Sequence, residues 1–160
     1  MPKVTPDTAQ KDRGSSLACG PYEALLFSDS GGLTQFGAFL EILPPGSSSS
    51  LKHWHEGEDE MVYMVSGEVI VTEGDDTYPL SAGEAATFKA GVAAGHCLRN
   101  DSPGEARYLV IGTRSARDTV TYPDHDRILT FARAPGTSDV TSRSYTTHDG
   151  IPSTSPYEDR

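Results

Sequence analysis

The sequence predicts an all-β protein, built from short antiparallel strands arranged as a sandwich or a barrel. The 160-residue chain alternates short apolar runs with turn-forming residues, and it contains 16 glycines and 11 prolines. Frequent turn residues of this kind favour many short strands over long helices. No window of about 12 residues has the apolar spacing of an amphipathic helix. A chain of this length can bury a hydrophobic core as one domain without disulfides.

Eight segments between residues 33 and 113 have the features of strands. The first ends at Pro44-Pro45-Gly46, because proline cannot continue a central strand. An acidic turn at residues 56–59 separates the second segment from the third, and turns that contain glycine separate most of the later ones. The predicted strands cover residues 33–43, 51–55, 61–66, 68–73, 77–80, 85–89, 95–99 and 107–113.

The strand pattern divides the chain into three predicted regions. Residues 1–20 are polar and are predicted to be an irregular N-terminal arm, or an edge strand contributed to a partner. Residues 21–114 hold the predicted strands. Residues 115–160 have few apolar groups and several Pro and Ser/Thr clusters, which predicts a C-terminal tail that wraps the barrel or a partner. We expect a homodimer, because the outer sheet face of such a barrel pairs easily.

Charge and composition exclude several classes of partner. The net charge is −10, and residues 21–114 carry 14 Asp and Glu against five Lys and Arg. Without a basic cluster, such a chain repels nucleic acid and anionic membranes. Residues 1–16 lack the apolar stretch of a secretory signal, and Cys19 and Cys97 lie far apart without metal-site or redox-motif spacing. We therefore expect reduced thiols and a cytoplasmic location.

Three of the five histidines occur in two short segments with the spacing of metal ligands. His53 and His55 are two residues apart on a predicted strand, so both imidazoles face the same side. Glu60 follows after the acidic turn, and His96 comes from a later strand. His125 and His148 have no neighbours at ligand spacing and are interpreted as surface residues.

Three imidazoles and one carboxylate form a mixed nitrogen and oxygen ligand set. Such a set suits one divalent transition metal, of which Fe, Mn, Zn and Ni are the main candidates, and it leaves one or two positions for water or substrate. A lone histidine on a strand is more often a hydrogen-bonded core or surface residue, and an acidic turn is more often a solvated loop. The combination of His53, His55, Glu60, Gly67 and a later histidine is far more specific than its parts.

These residues follow two motifs that resemble those of the cupin superfamily. The first family motif, G-x5-H-x-H-x(3,4)-E-x6-G, matches residues 46–67 with one extra residue before His53. The second, G-x5-P-x-G-x2-H-x3-N, matches residues 83–100 with two extra residues before His96 and with Lys89 in place of proline. The resemblance extends over about residues 21–114.

The resemblance implies an antiparallel double-stranded β-helix, the jelly-roll barrel of cupins, with one metal at its mouth. It implies that His53, His55, Glu60 and His96 bind the metal, while Asn100 holds a turn. The chain is most similar to bacterial single-domain cupins of the cupin-2 type, a group loosely described as sugar-phosphate isomerases. Segments that carry this similarity are residues 32–37, 53–55, 58–60, 122–124 and 149–152.

Strand alternation predicts a mostly apolar pocket around the metal. Residues that share a face with the four ligands are expected to line it, together with an aromatic side chain from residues 33–43. No Lys or Arg is placed inside, which counts against a phosphorylated sugar as substrate, although Lys89 could reach the mouth. The predicted lining residues are Leu51, Val62, Met64, Leu98 and Phe36, with Phe39 as the alternative aromatic.

Two functions remain open from the sequence. The first is a metal-dependent enzyme, a dioxygenase, isomerase or lyase, acting on a small organic acid, enol or sugar-derived substrate, with Glu60 as the catalytic base. The alternative is a non-catalytic binding or sensor module in which the metal shapes the site. A structural barrel without metal is disfavoured because all four ligands are present. Fold analogy does not decide among these functions.

Overall fold

The computed structural model describes residues 3–158 and confirms the all-β prediction. Within this range the chain forms fourteen strands, one single-turn helix and two short 3₁₀ turns, at Pro123–His125 and Pro156–Glu158. No helix in this range is long and apolar enough to cross a membrane. The other elements are β1 (Gln10–Ser16), β2 (Gly20–Leu26), α1 (Phe27–Ser30), β3 (Phe36–Leu43), β4 (Trp54–His55), β5 (Glu60–Ser66), β6 (Glu68–Glu73), β7 (Asp76–Ser81), β8 (Ala85–Phe88), β9 (His96–Arg99), β10 (Ala106–Thr113), β11 (Arg117–Tyr122), β12 (Arg127–Arg133), β13 (Val140–Thr146) and β14 (Pro152–Ser153).

The strands form three antiparallel sheets. The largest has six strands in the order β1-β2-β3-β10-β5-β8. The smallest has the order β7-β6-β9, and the third has the order β14-β13-β12-β11-β4. Several consecutive strands, such as β5 and β6, lie in different sheets, as expected for a jelly roll, whereas others, such as β6 and β7, pair with each other.

The main hydrophobic core lies between the six-stranded and the three-stranded sheets. Inward positions alternate along each strand, so β5 contributes Val62 and Met64, and β6 contributes Val69 and Val71. A second, smaller core packs the inner face of the third sheet against the loop before β4. Its buried members are Cys19, Leu51, Val120, Tyr122, Leu129 and Phe131.

Both ends of the chain contain regular strands where the sequence predicted irregular structure. Residues 10–16 are β1, which pairs with β2 at the edge of the six-stranded sheet of the same chain. Residues 117–153 contain four of the five strands of the third sheet. The sequence pattern underestimated this segment because its strands expose polar residues and bury only alternate side chains, such as Val120 and Leu129. The division into arm, barrel and tail stays a prediction.

Gly67 allows the chain to pass from the six-stranded to the three-stranded sheet. Its φ is +78°, in the left-handed region that disfavours other residues. A Cβ atom at this position would lie 2.9 Å from the carbonyl oxygen of Glu105 and 3.0 Å from Cα of Ala106. Gly83 also has a positive φ, +90°, but no heavy atom lies within 4 Å of the point that a Cβ atom would occupy there. Of these two glycines, only Gly67 combines a left-handed backbone with a close approach to another segment of backbone.

We expect Gly67→Ala to destabilise the fold much more than Gly83→Ala. The left-handed backbone alone costs about 1–2 kcal/mol for alanine, which sets the expected loss for Gly83→Ala. Gly67→Ala adds a clash with backbone atoms, so its loss is expected to be about 3 kcal/mol or more. Urea unfolding followed by circular dichroism measures both values. Equal losses for the two variants would contradict the role of the close approach at Gly67.

Candidate metal centre

His53 and His96 are placed opposite each other by their backbones. The amide of His53 donates to the carbonyl of His96 at 3.1 Å, and the amide of His96 donates to the carbonyl of His53 at 2.8 Å. Their ring centroids lie 4.9 Å apart. Glu60 begins β5, and one ligand atom from each of these three residues lies within 4.8 Å of the others. The structure thus brings three of the four predicted ligands into one group.

His53 offers one free ring nitrogen to this group. Its Nδ1 lies 2.9 Å from the carbonyl oxygen of Leu51 and 3.2 Å from the hydroxyl of Ser50. Because a carbonyl oxygen can only accept, Nδ1 carries the proton of the neutral ring and Nε2 keeps its lone pair. Burial, together with the neighbouring His96 and His55, lowers the pKa of His53 to about 4. His53 is therefore neutral at neutral pH, the form that binds metals.

His55 lies beside this group and is held by Asp118. The ring centroids of His55 and His53 are 5.1 Å apart. Nδ1 of His55 donates to Oδ2 of Asp118 at 2.6 Å, while Oδ1 of Asp118 accepts from the amide of Gly57 at 2.7 Å. Burial opposes the charged form of His55, but the bond to Asp118 outweighs it and raises the pKa of His55. Only Nε2 of His55 remains free to bind a metal.

A second carboxylate beside His55 has its own partners. Glu58 forms a group of ligand-type atoms with His55 and Asp118. However, its carboxylate is paired with the guanidinium of Arg133 and accepts from the amide and the hydroxyl of Ser115. These contacts satisfy Glu58 without a metal, so we interpret this group as a support for His55.

The buried ring nitrogens of His96 indicate whether these residues fit a metal ion. The side chain is buried and stacks on Phe88, with ring centroids 3.7 Å apart and planes 3° from parallel. Its Nε2 lies 3.3 Å from Oε1 of Glu60, but neither ring nitrogen has a hydrogen-bond partner among the described residues. Buried polar atoms without partners are rare and destabilising. A cation between His96, His53 and Glu60 would satisfy the free nitrogen, so these residues fit a divalent transition metal.

The charge of Glu60 also suits a cation. Burial raises the pKa of its carboxyl, but contact with His96 and the nearby His53 and His55 outweighs burial and lowers the pKa. The carboxylate is therefore ionised at neutral pH beside neutral His53. This combination provides one negative charge and nitrogen lone pairs in a largely buried position.

The three grouped residues face a cavity of about 200 Å³ inside the barrel. Its apolar walls come from alternate positions of four strands, which point inward at this level. No Lys or Arg lies among the described residues that line it. The lining residues are Phe39, Val62, Leu98 and Val110 on the apolar walls, with Glu41, Ser49, Ser50 and Tyr108 as additional polar groups.

Of the five predicted pocket residues, two line the cavity and three lie elsewhere. Val62 and Leu98 line the cavity, whereas Met64 is buried in the main core beyond it. Leu51 packs in the second core, because residues 48–53 do not form a regular strand and alternation does not hold there. Phe36 is 38% exposed and lines an outer cleft of about 450 Å³ with Glu60 and Lys89. Phe39, the alternative aromatic residue, occupies the inward position of β3.

Sequence reasoning missed Asp118, Glu58, Glu41 and Tyr108. Asp118 is in the segment predicted to be a tail, 63 residues from His55 along the chain. One signal was available in the sequence: Asp118, Val120 and Tyr122 alternate and so share one face of a strand. In the structure all three are buried. The inward position of Glu41 follows from Phe39 and Leu43 on the same strand face, but an acidic residue is normally interpreted as exposed.

The chain is similar to known proteins of the cupin superfamily. Residues 39–112 match the family model described as the cupin domain. A cupin-superfamily sugar phosphate isomerase from Silicibacter pomeroyi is 31% identical, with a TM-score of 0.85 over 96% of this chain and 97% of that one. A structure from Acidithiobacillus ferrooxidans, also described as a sugar phosphate isomerase, is 26% identical, with a TM-score of 0.76 over 93% and 92% of the two chains.

A curated relative has a different description. The oxalate-binding protein of Thermotoga maritima is 33% identical over 69 residues, which are 43% of this chain. The match spans 54% of that relative, or about half its length. The matching relatives thus carry two different functional descriptions.

We expect Asp118→Asn to weaken metal binding by about 10–100-fold, the usual effect of removing the partner that orients a ligand histidine. The substitution keeps the size of the side chain but removes the charge that holds Nδ1–H of His55. Isothermal titration of the metal-free protein with Mn²⁺ or Zn²⁺ measures the affinity. Asp101→Asn, at an exposed residue, is the control and should leave the affinity unchanged. An unchanged affinity in Asp118→Asn would mean that His55 is not a ligand.

Proposed function

Because the chain belongs to the cupin superfamily, we propose that it is a metal-dependent enzyme acting on a small organic acid or its enol form. The observation that carries this proposal is the group of His53, Glu60 and His96 beside a small, largely apolar cavity. We assign His55 as the fourth ligand through its free Nε2. The candidate metals are Fe, Mn, Zn and Ni.

The charges of the site support an acidic ligand. Three imidazoles and the single carboxylate of Glu60 neutralise only part of a divalent cation, so the centre would keep a positive charge that attracts an anion. When bound, the metal would supply a Lewis acid that polarises the oxygens of the ligand. A small carboxylate would bind there in place of water.

Side chains of the cavity would orient the ligand, and one of them would accept a proton from it. The apolar side chains of Phe39, Val62, Leu98 and Val110 exclude water and strengthen electrostatic interactions within the cavity. Glu60 is the proposed base, because its carboxylate is ionised, borders the cavity and is the most easily released of the four proposed ligands. Its low pKa suits it to accept a proton only from a carbon or oxygen acidified by the bound metal.

The lining of the cavity disfavours phosphorylated sugars. A phosphate group is normally bound by Arg, Lys or several backbone amides, and the described lining residues include no Lys or Arg. Lys89 is exposed and is not among the residues that line this cavity. It lines the outer cleft together with Glu60, and a smaller pocket together with His55 and His96. The description attached to the Silicibacter pomeroyi relative is therefore not our first proposal for this chain.

The alternative is a module that binds a small acid without converting it. The similarity of 69 residues of this chain to the oxalate-binding protein of Thermotoga maritima favours it. Incubating the metal-loaded protein with oxalate and with 2-oxo acids, with and without oxygen, distinguishes the two functions. Loss of substrate with formation of product supports an enzyme, whereas saturable binding without turnover supports the binding module.

We expect protein purified without a tag or chelator to hold close to one transition metal per chain. His53→Ala and His96→Ala should each lose the metal, because each removes a ligand from the central group. His125→Ala, which changes a histidine outside the site, is the matched control and should retain it. Inductively coupled plasma mass spectrometry measures the metal content. If wild-type protein holds no metal even after reconstitution with each candidate ion, the proposed function is wrong.

A further inference from the structure

Two polar residues face the cavity from the side of β3 and β10. Glu41 and Tyr108 are directly opposite each other in the pairing of these strands. Glu41 is 7% exposed and Tyr108 is fully buried. Both line the same cavity as His53, Glu60 and His96. Neither residue belongs to the ligand set or to the contacts that support it.

The two polar groups lie near each other, and Tyr108 also lies near Ser49, but their contacts do not form good hydrogen bonds. Oε1 of Glu41 and the hydroxyl of Tyr108 lack hydrogen bonds of normal geometry among the described residues. Burial raises the pKa of Glu41 to about 7; the nearby hydroxyl of Tyr108 opposes this shift, and the charge of Glu60 adds to it. Leaving a buried donor or acceptor unpaired normally destabilises a protein, so such atoms in a cavity require an explanation.

The other buried acidic residues show that this barrel usually pairs such groups. Glu58 is paired with Arg133 and Ser115, and Asp118 with His55 and Gly57. Glu41 differs, because no well-oriented donor of the described chain binds its Oε1, although the hydroxyl of Tyr108 is near.

We propose that Glu41 and Tyr108 recognise a hydroxyl group of the ligand, at the end away from the metal. A hydroxyl both donates and accepts, so it can donate to the carboxyl of Glu41 while it accepts from Tyr108. The cavity, of about 200 Å³, is small. The ligand is thus a small hydroxylated organic acid. This inference rests on the proposed function, in which the acid end binds at the metal.

The first test measures thermal stability and needs no metal. Tyr108→Phe removes only the unpaired hydroxyl, and Glu41→Met replaces the carboxyl with an apolar group of similar length. If these atoms serve a ligand, both metal-free variants should have a Tm equal to or above that of metal-free wild type. Glu58→Met, which breaks a buried ion pair, is the control and should lower the Tm. A decrease of about 5 °C or more in both Tyr108→Phe and Glu41→Met would show a structural pair and overturn the inference.

The second test compares pyruvate with hydroxypyruvate, which differ by one hydroxyl at the end away from the carboxylate. Isothermal titration of the metal-loaded wild type should show hydroxypyruvate binding about tenfold more tightly. In Tyr108→Phe and Glu41→Met this preference should fall below about twofold, while the affinity for pyruvate stays unchanged. A wild type without the preference, or one that binds neither acid, overturns the inference.

The metal content of each sample separates this inference from the proposed function. Mass spectrometry should give the same metal content in wild type, Tyr108→Phe and Glu41→Met. A metal-loaded wild type without the hydroxyl preference overturns the inference and leaves the metal centre intact. A wild type that cannot hold metal overturns the proposed function, and the stability test then decides whether Glu41 and Tyr108 are a structural pair.

Discussion

The reciprocal backbone hydrogen bonds between His53 and His96 are the constraint on which the site depends. The loop that carries His53 follows β9 for several residues, since the amide of Ser49 also donates to the carbonyl of Leu98 and the hydroxyl of Ser49 accepts from the amide of Leu98. The loop is irregular in itself, so its pairing with β9 fixes the positions of the two rings. Glu60 then reaches the same point from the opposite sheet at the start of β5.

The polar groups inside this barrel fall into two kinds. Some are paired within the protein, as Asp118 is with His55 and Glu58 with Arg133. Others have no hydrogen bond of normal geometry among the described residues: both ring nitrogens of His96, Oε1 of Glu41, and the hydroxyls of Tyr108 and Ser47. The first kind fixes the orientation of side chains. His96, Glu41 and Tyr108 border one cavity, where we propose that they serve a metal and a ligand, whereas Ser47, whose buried hydroxyl also lacks a partner, does not line it.

The C-terminal strands are part of the site as well as of the fold. β11 pairs with β4, which sets Val120 opposite His55 and brings Asp118 to the histidine ring. β12 supplies Arg133, which neutralises Glu58 beside the same histidine. Packing of Val120, Tyr122 and Leu129 in the second core holds this sheet against the loop that precedes β4. The orientation of His55 therefore depends on residues more than sixty positions later in the chain.

The sequence by itself determined the all-β class, the central strands, and the grouping of His53, Glu60 and His96. The class and the strands follow from local alternation, which acts over a few residues at a time. The grouping follows from the resemblance to the two cupin motifs, since Glu60 and His96 are 36 residues apart. Only the tertiary structure decided that Leu51 and Phe36 lie away from the cavity, that residues 117–153 form a sheet, and that Asp118 holds His55. The tertiary structure also places Glu41 inside the barrel, although carboxylates are normally exposed. These features depend on contacts between segments that are distant along the chain. Alternation within one strand predicts which face of the sheet a side chain lies on, but it does not predict which other segment packs against that face.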